Sequence, residues 1–204
     1  MSKTNLQLCQ NIDHYFEKKL QQIAEEQSLQ INHLTLKYLS KMLNTFISAQ
    51  NFLQKNPKEN KKEIPTLAIA FLEAQHLDTF QALLNFQKLG DTSLFISGFL
   101  PGHIERSLVD QDYYSAIGGG AYRQAAYLRE KVINSEKKLI NIFFELSDRF
   151  NDLVPILAEI SYESLTSDSE ILSLYQKWLD KQSESIERYL KKKGIILKNP
   201  KTQN

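Results

Sequence analysis

Arg106, Asp110, Asp112, Tyr113, Tyr114, Tyr122, Arg123, Tyr127 and Arg129 crowd one stretch of a chain whose basic residues are otherwise mostly lysine. Arginine carries a planar fork that matches carboxylate or phosphate, and tyrosine joins an apolar ring to a hydroxyl tip. Such a cluster has the means to line a pocket for a small anionic or aromatic ligand. With the two phenylalanines just upstream, the ligand-binding candidates are Phe95, Phe99, Arg106, Asp112, Tyr113, Tyr114, Tyr122 and Arg123. The competing reading is structural: an arginine and an aspartate tie two helix ends together while the tyrosines pack.

Other reactive arrangements are missing their partners. His14, His33, His76 and His103 are dispersed, and only Glu73 with His76 has the E-x-x-H spacing of helical di-iron sites. Those sites need a second such motif and two further inward glutamates, so neither a metal nor another cofactor is expected. The chain has no G-x-S-x-G elbow, C-x-x-C pair or H-E-x-x-H helix. Ser93 and Ser97 read as caps or small packing residues, no catalytic residue is assigned, and an enzyme is not the expectation.

The elements that must position these side chains are marked by glycine. GDTSLFISGFLPG (90–102) and GGGAY (118–122) hold six of the seven glycines. A glycine inside a helix costs about 1 kcal/mol relative to alanine, so three in a row need compensation. Gly118, Ala121 or Tyr122, and Ala125 recur at steps of three and four, which makes a smooth strip for a neighbouring helix. Close helix packing is therefore expected at Gly98, Gly118, Gly119, Ala121 and Ala125. The alternative, that GGG breaks the helix and offers backbone N–H groups to an anion, lacks both the spacing and the preceding strand of phosphate-binding loops. Whether the helix continues through Gly118–Gly120 stays open at this level. Gly90 after QKL suits the residue that closes a helix, with Asp91, Thr92 or Ser93 capping the next. Leu94 to Leu100 then reads as a short, buried central helix.

The phrases GDTSLFISGF and DQDYYSAIGGGAY together resemble a segment of uncharacterised bacterial proteins of similar length, which carry G-D-x-x-L-F-x-S-G-F, then D-Y-Y, then a small-residue run ending A-Y. The resemblance implies recurring positions at Gly90, Asp91, Leu94, Phe95, Ser97, Gly98, Phe99, Asp112, Tyr113, Tyr114, Gly118, Ala121 and Tyr122. It implies an all-helical bacterial protein and assigns no activity.

Around this centre the apolar residues keep helical spacing. Leu6, Cys9, Ile12, Phe16, Leu20 and Ile23 predict a first helix ending near Glu26, and Ile31, Leu34, Tyr38, Met42 and Phe46 a second, with Asn32 as a possible cap. The stretch 55–65, bearing a proline near each end, predicts a solvated loop. Residues 66–89 predict one helix touched on several sides. Leu139 to Ile160 keep register across Pro155, which either kinks a helix or opens a new one. Ile171 to Leu190 predict a single helix with Ser167 and Glu170 in capping-box spacing and Gly194 at its end.

The expectation is an all-α fold: one compact domain over residues 1–197, a bundle of about six to eight helices, with a flexible tail at 198–204. With 204 residues, 42% of them apolar, the chain can bury one sizeable core. A net charge of +1 gives no global field for a polyanion, although Arg188, Lys191, Lys192, Lys193, Lys198 and Lys201 form one basic run. A single cysteine, the lack of a signal-peptide pattern and the lack of a membrane-spanning stretch fit a cytoplasmic protein. The expected function is a non-catalytic helical interaction or regulatory protein, binding an unknown protein or itself. A small-molecule binder or enzyme with its pocket in the Tyr/Arg cluster is the alternative.

Overall fold

The computed structural model describes residues 3–55, 66–100, 110–132, 137–163 and 168–197, with side chains over 12–48 in the first stretch. The loop expected at 55–65 (beyond Lys55), Arg106, Ser167 and the tail 198–204 lie outside the described residues. The described chain is all-α, with α1 (Lys3–Glu26), α2 (His33–Lys55), α3 (Leu67–Ala74), α4 (Thr79–Leu94), α5 (Gln111–Lys131), α6 (Lys137–Asp148), α7 (Phe150–Glu163), α8 (Asp168–Lys181) and α9 (Glu184–Lys192). These nine helices among the described residues replace the expected six to eight.

The larger count has local causes. The run 66–89 is two helices, α3 and α4, because Asp78 takes an extended backbone and its carboxylate accepts the N–H groups of Phe80 and Gln81, at 3.0 and 3.1 Å. The run from Ile171 to Leu190 is likewise split, at Gln182, whose φ of 51° stops α8, and Ser183, from which α9 starts. The break near Pro155 falls earlier, at Arg149, and the proline sits inside α7. Gly194, with φ 77°, closes α9: the Ile195 N–H reaches the Leu190 carbonyl at 3.0 Å.

α2 is capped from two directions. The Asn32 side chain accepts the Leu34 N–H at 2.9 Å. The Glu145 carboxylate, brought by α6, accepts the Asn32 N–H at 2.9 Å and the Thr35 hydroxyl. A negative group is thus placed where free amides and the helix dipole favour it. Leu20 and Ile23 of α1 and Leu39 and Leu43 of α2 are fully buried. Each contributes about 1.5–3 kcal/mol of apolar burial. They belong to a large core that also takes in α4 to α7. A smaller cluster of Ala158, Tyr162, Leu174, Trp178, Ile186, Tyr189 and Leu190 joins α7 to α8 and α9.

The centre of the bundle is the crossing of α4 and α5, and α5 runs unbroken through Gly118–Gly120. The continuity left open by sequence is thereby settled, and the alternative of GGG as an anion-binding break is excluded because those N–H groups lie within a helix. Gly90 does not close a helix either: it lies inside α4, where a Cβ would come within 2.6 Å of the Tyr122 ring. A Cβ at Gly118 would come within 2.7 Å of Ser93 and collide with Phe150, and one at Gly98 would stand 2.7 Å from Leu157 of α7. Gly119, grouped with these from spacing alone, has ordinary room, its nearest neighbour being the Ser147 carbonyl at 3.5 Å. Ala121 and Ala125 are fully buried. Leu94–Leu100 is not a separate helix: α4 passes directly into a π-helical turn, Phe95–Phe99, with Phe95, Ser97 and Gly98 buried.

Candidate functional site: a carboxylate between two phenols

The space left at Gly90 brings the Tyr122 ring flat against α4, and the next residue, Asp91, receives its hydroxyl. Tyr122 Oη donates to Asp91 Oδ1 at 2.8 Å, and Tyr38 Oη, from α2, donates to the same oxygen at 2.7 Å. Both rings are fixed by Phe143 of α6, which stacks on Tyr122 at 6.2 Å and meets Tyr38 edge-on at 5.7 Å. The Arg129 guanidinium stands over the Phe143 ring, 5.8 Å from its centroid. Met42 Sδ lies 3.9 Å from the Tyr122 hydroxyl.

Among the described residues Asp91 has no ion-pair partner, and no hydrogen bond engages its second oxygen, Oδ2. Burial pushes its carboxyl up to about 6 from an ordinary 3.8, against the two phenolic hydrogen bonds, which act to lower it. Burial and then the Asp91 charge hold both tyrosines well above the usual phenol range, so they remain donors. The result is a carboxylate ionised near neutral pH with donors on one side only.

Asp91 also lines an open cleft of about 370 Å³ with Thr45 and Phe46 of α2 and Leu84, Gln87 and Lys88 of α4. The spacing explains the assembly: Leu84, Gln87, Lys88 and Asp91 fall on one face of α4, and Tyr38, Met42, Thr45 and Phe46 on one face of α2. Gln87 lies close enough to the Tyr38 hydroxyl to act against the rise in that phenol's pKa. Phe46 is braced by Phe95, whose ring stacks on it at 4.7 Å, and Phe95 stacks in turn on Phe99 at 5.2 Å.

Among the described residues, the candidates read from sequence make their contacts at separate places. Tyr122 is at the Asp91 site, and Phe95 and Phe99 stand behind Phe46. Tyr113 and Tyr114 pack edge to face at the start of α5, and the Tyr113 hydroxyl accepts the Ala68 N–H of α3 at 3.1 Å. Asp112 is exposed in the same turn. Arg123 pairs with Asp148 on the surface. Asp91, Tyr38, Gln87 and Lys88 were not singled out as chemistry. Asp91 reads as a helix cap in sequence, and the available signal was a charged residue placed four and seven positions after Gln87 and Leu84.

Glu73 and His76 are both exposed, and no group of three metal-ligating side chains occurs among the described residues. Within the described part of the basic run, Arg188 pairs with Glu159 and Glu184, Lys191 with Glu187, and Lys192 with Glu26 and Glu159. No helix among the described residues is long and apolar enough to cross a membrane.

The fold and site define an all-α bundle with a phenol-held carboxylate at the edge of a cleft. Set against models of known protein families, curated proteins and solved structures, the chain matches none.

Proposed function

We propose that this chain is a non-catalytic helical interaction or regulatory protein that engages another protein chain through α3 and the start of α4. The observation that carries this reading is where apolar side chains stay exposed. Ile69, Leu72, Leu77, Phe80 and Leu84, between 39% and 61% exposed, make up half of the ten large apolar side chains exposed among the described residues. They fall within one helical hairpin, and such local concentration marks docking surfaces more often than scattered singles do. The single cysteine supports a cytoplasmic setting.

The test places a photo-crosslinker at Leu72 and, as control, at Leu172 of α8, each 59% exposed. Crosslinks to a second copy or to another protein that form from position 72, are absent from position 172 and are lost with Phe80→Glu support the reading. Equal crosslinking from both positions, or none, overturns it.

A second reading, a small-molecule binding protein, is favoured by one specific observation: the unpaired carboxylate that lines the α2–α4 cleft. A charge kept partly out of water without a cation costs stability, and such groups in clefts concentrate at binding sites.

A further inference from the structure

We propose that the cleft between α2 and α4 binds a small apolar amino acid or a closely related zwitterion, with its ammonium on Asp91 Oδ2, its carboxylate on Lys88 and its side chain against Phe46 and Leu84. This rests on the small-molecule reading of the cleft, which shares only Leu84 with the docking face of α3 and α4.

Three observations carry it. Asp91 Oδ1 is occupied by two phenols, so the acceptor capacity left over is at Oδ2, on a residue that lines the cleft. Lys88, three residues earlier on the same helix face, lines the same cleft, yet the two do not form an ion pair. The remaining walls are chiefly Phe46 and Leu84, with Thr45 and Gln87 supplying a hydroxyl and an amide.

A volume of about 370 Å³ falls at the small end of the range of about 300–1,000 Å³ typical of small-molecule sites. A simple cation entering here meets repulsion from Lys88, and a simple anion meets repulsion from Asp91. A zwitterion satisfies both with charge-assisted hydrogen bonds and brings an apolar group to the apolar wall. Phe46, stacked on Phe95, is held in place before a ligand arrives.

Isothermal titration and thermal melts at pH 7.5 with L-phenylalanine, L-leucine, phenethylamine and hydrocinnamate test the proposal. The expected result is saturable binding of phenylalanine or leucine, weakened at least tenfold by Asp91→Asn and by Lys88→Ala, with phenethylamine and hydrocinnamate both weaker than phenylalanine. Lys88 is exposed, so its variant folds irrespective of the role of Asp91. Amino-acid binding that is unchanged in both variants overturns the assignment. Binding by hydrocinnamate or phenethylamine as tight as by phenylalanine overturns the zwitterion while leaving a ligand cleft. If none of the four raises the melting temperature at millimolar concentration, the zwitterion and the small-molecule reading fall together.

Discussion

Asp91 and Glu159 are both carboxylates drawn into the bundle, and they are held in opposite ways. Glu159, 1% exposed, faces Arg188 at 3.6 Å and Lys192 at 3.5 Å, both from α9, and accepts from the Gln27 amide at 3.3 Å. Asp91 has two neutral phenols on one oxygen and no ion-pair partner among the described residues. Cations offset the desolvation of Glu159, whereas the phenols only moderate that of Asp91, whose carboxyl rises to about 6. One carboxylate therefore serves the fold by tying α9 to α7. The other strains the fold, which is the pattern expected where a charge is kept for binding.

The comparison breaks first at Glu159. Arg188→Ala with Lys192→Ala leaves that carboxylate buried without a cation and should cost about 3–5 kcal/mol in urea unfolding at pH 7. A loss under about 1 kcal/mol would remove the distinction between the two sites, because it is the size of an exposed ion pair.

Next comes the packing that delivers Tyr122 to Asp91. Gly90→Ala puts a methyl 2.6 Å from a fully buried ring and should cost about 1–3 kcal/mol through overpacking. Gly120→Ala, whose methyl would sit 3.6 Å from Phe71, should instead be neutral or stabilising by up to about 1 kcal/mol. Equal melting temperatures for the two variants would contradict close approach as the reason for Gly90. The smallest effect belongs to Arg123→Ala. That residue's pair with Asp148 is solvent-exposed, so the change should shift stability by under about 0.5 kcal/mol in the same melts.

Sequence revealed the fold class and the glycine strip because both are periodic and local. Leu20 and Ile23 announce their burial by spacing alone, and Asn32 announces a cap, whereas the fully buried Leu39 and Leu43 stand one residue off the stripe read through Tyr38 and Met42. The turns at Gln75–Asp78 and Gln182–Ser183 are hidden because the apolar register resumes on the far side of each. Gly90 and Asp91 mislead for a different reason. Next to QKL they read as a helix end and a cap, and their use depends on Tyr122 and Tyr38, residues 31 and 53 positions away from Asp91. A residue whose role is fixed by a distant ring cannot be assigned from its neighbours in the chain.

The central claim is that ionised Asp91 costs stability, and its pH dependence tests it directly. A carboxyl raised from 3.8 to about 6 on folding means that the native state holds the proton more tightly. The contribution of Asp91 to native stability should therefore fall as pH rises from about 4 through about 6, then level off. The other charged groups of this neighbourhood are Lys88 on α4 and Arg129 on α5, with the phenols Tyr38 and Tyr122 from α2 and α5. Burial holds both phenols well above that window, so they keep their protons across it. Asp91→Asn keeps an oxygen for both hydroxyls and removes the charge. Unfolding free energies of the two proteins, measured from about pH 4 to 8, should be nearly equal at the acidic end and favour the Asp91→Asn variant by up to about 3 kcal/mol at the alkaline end. A constant difference across that range, or an aspartate that becomes the more stable form as pH rises, would contradict the account.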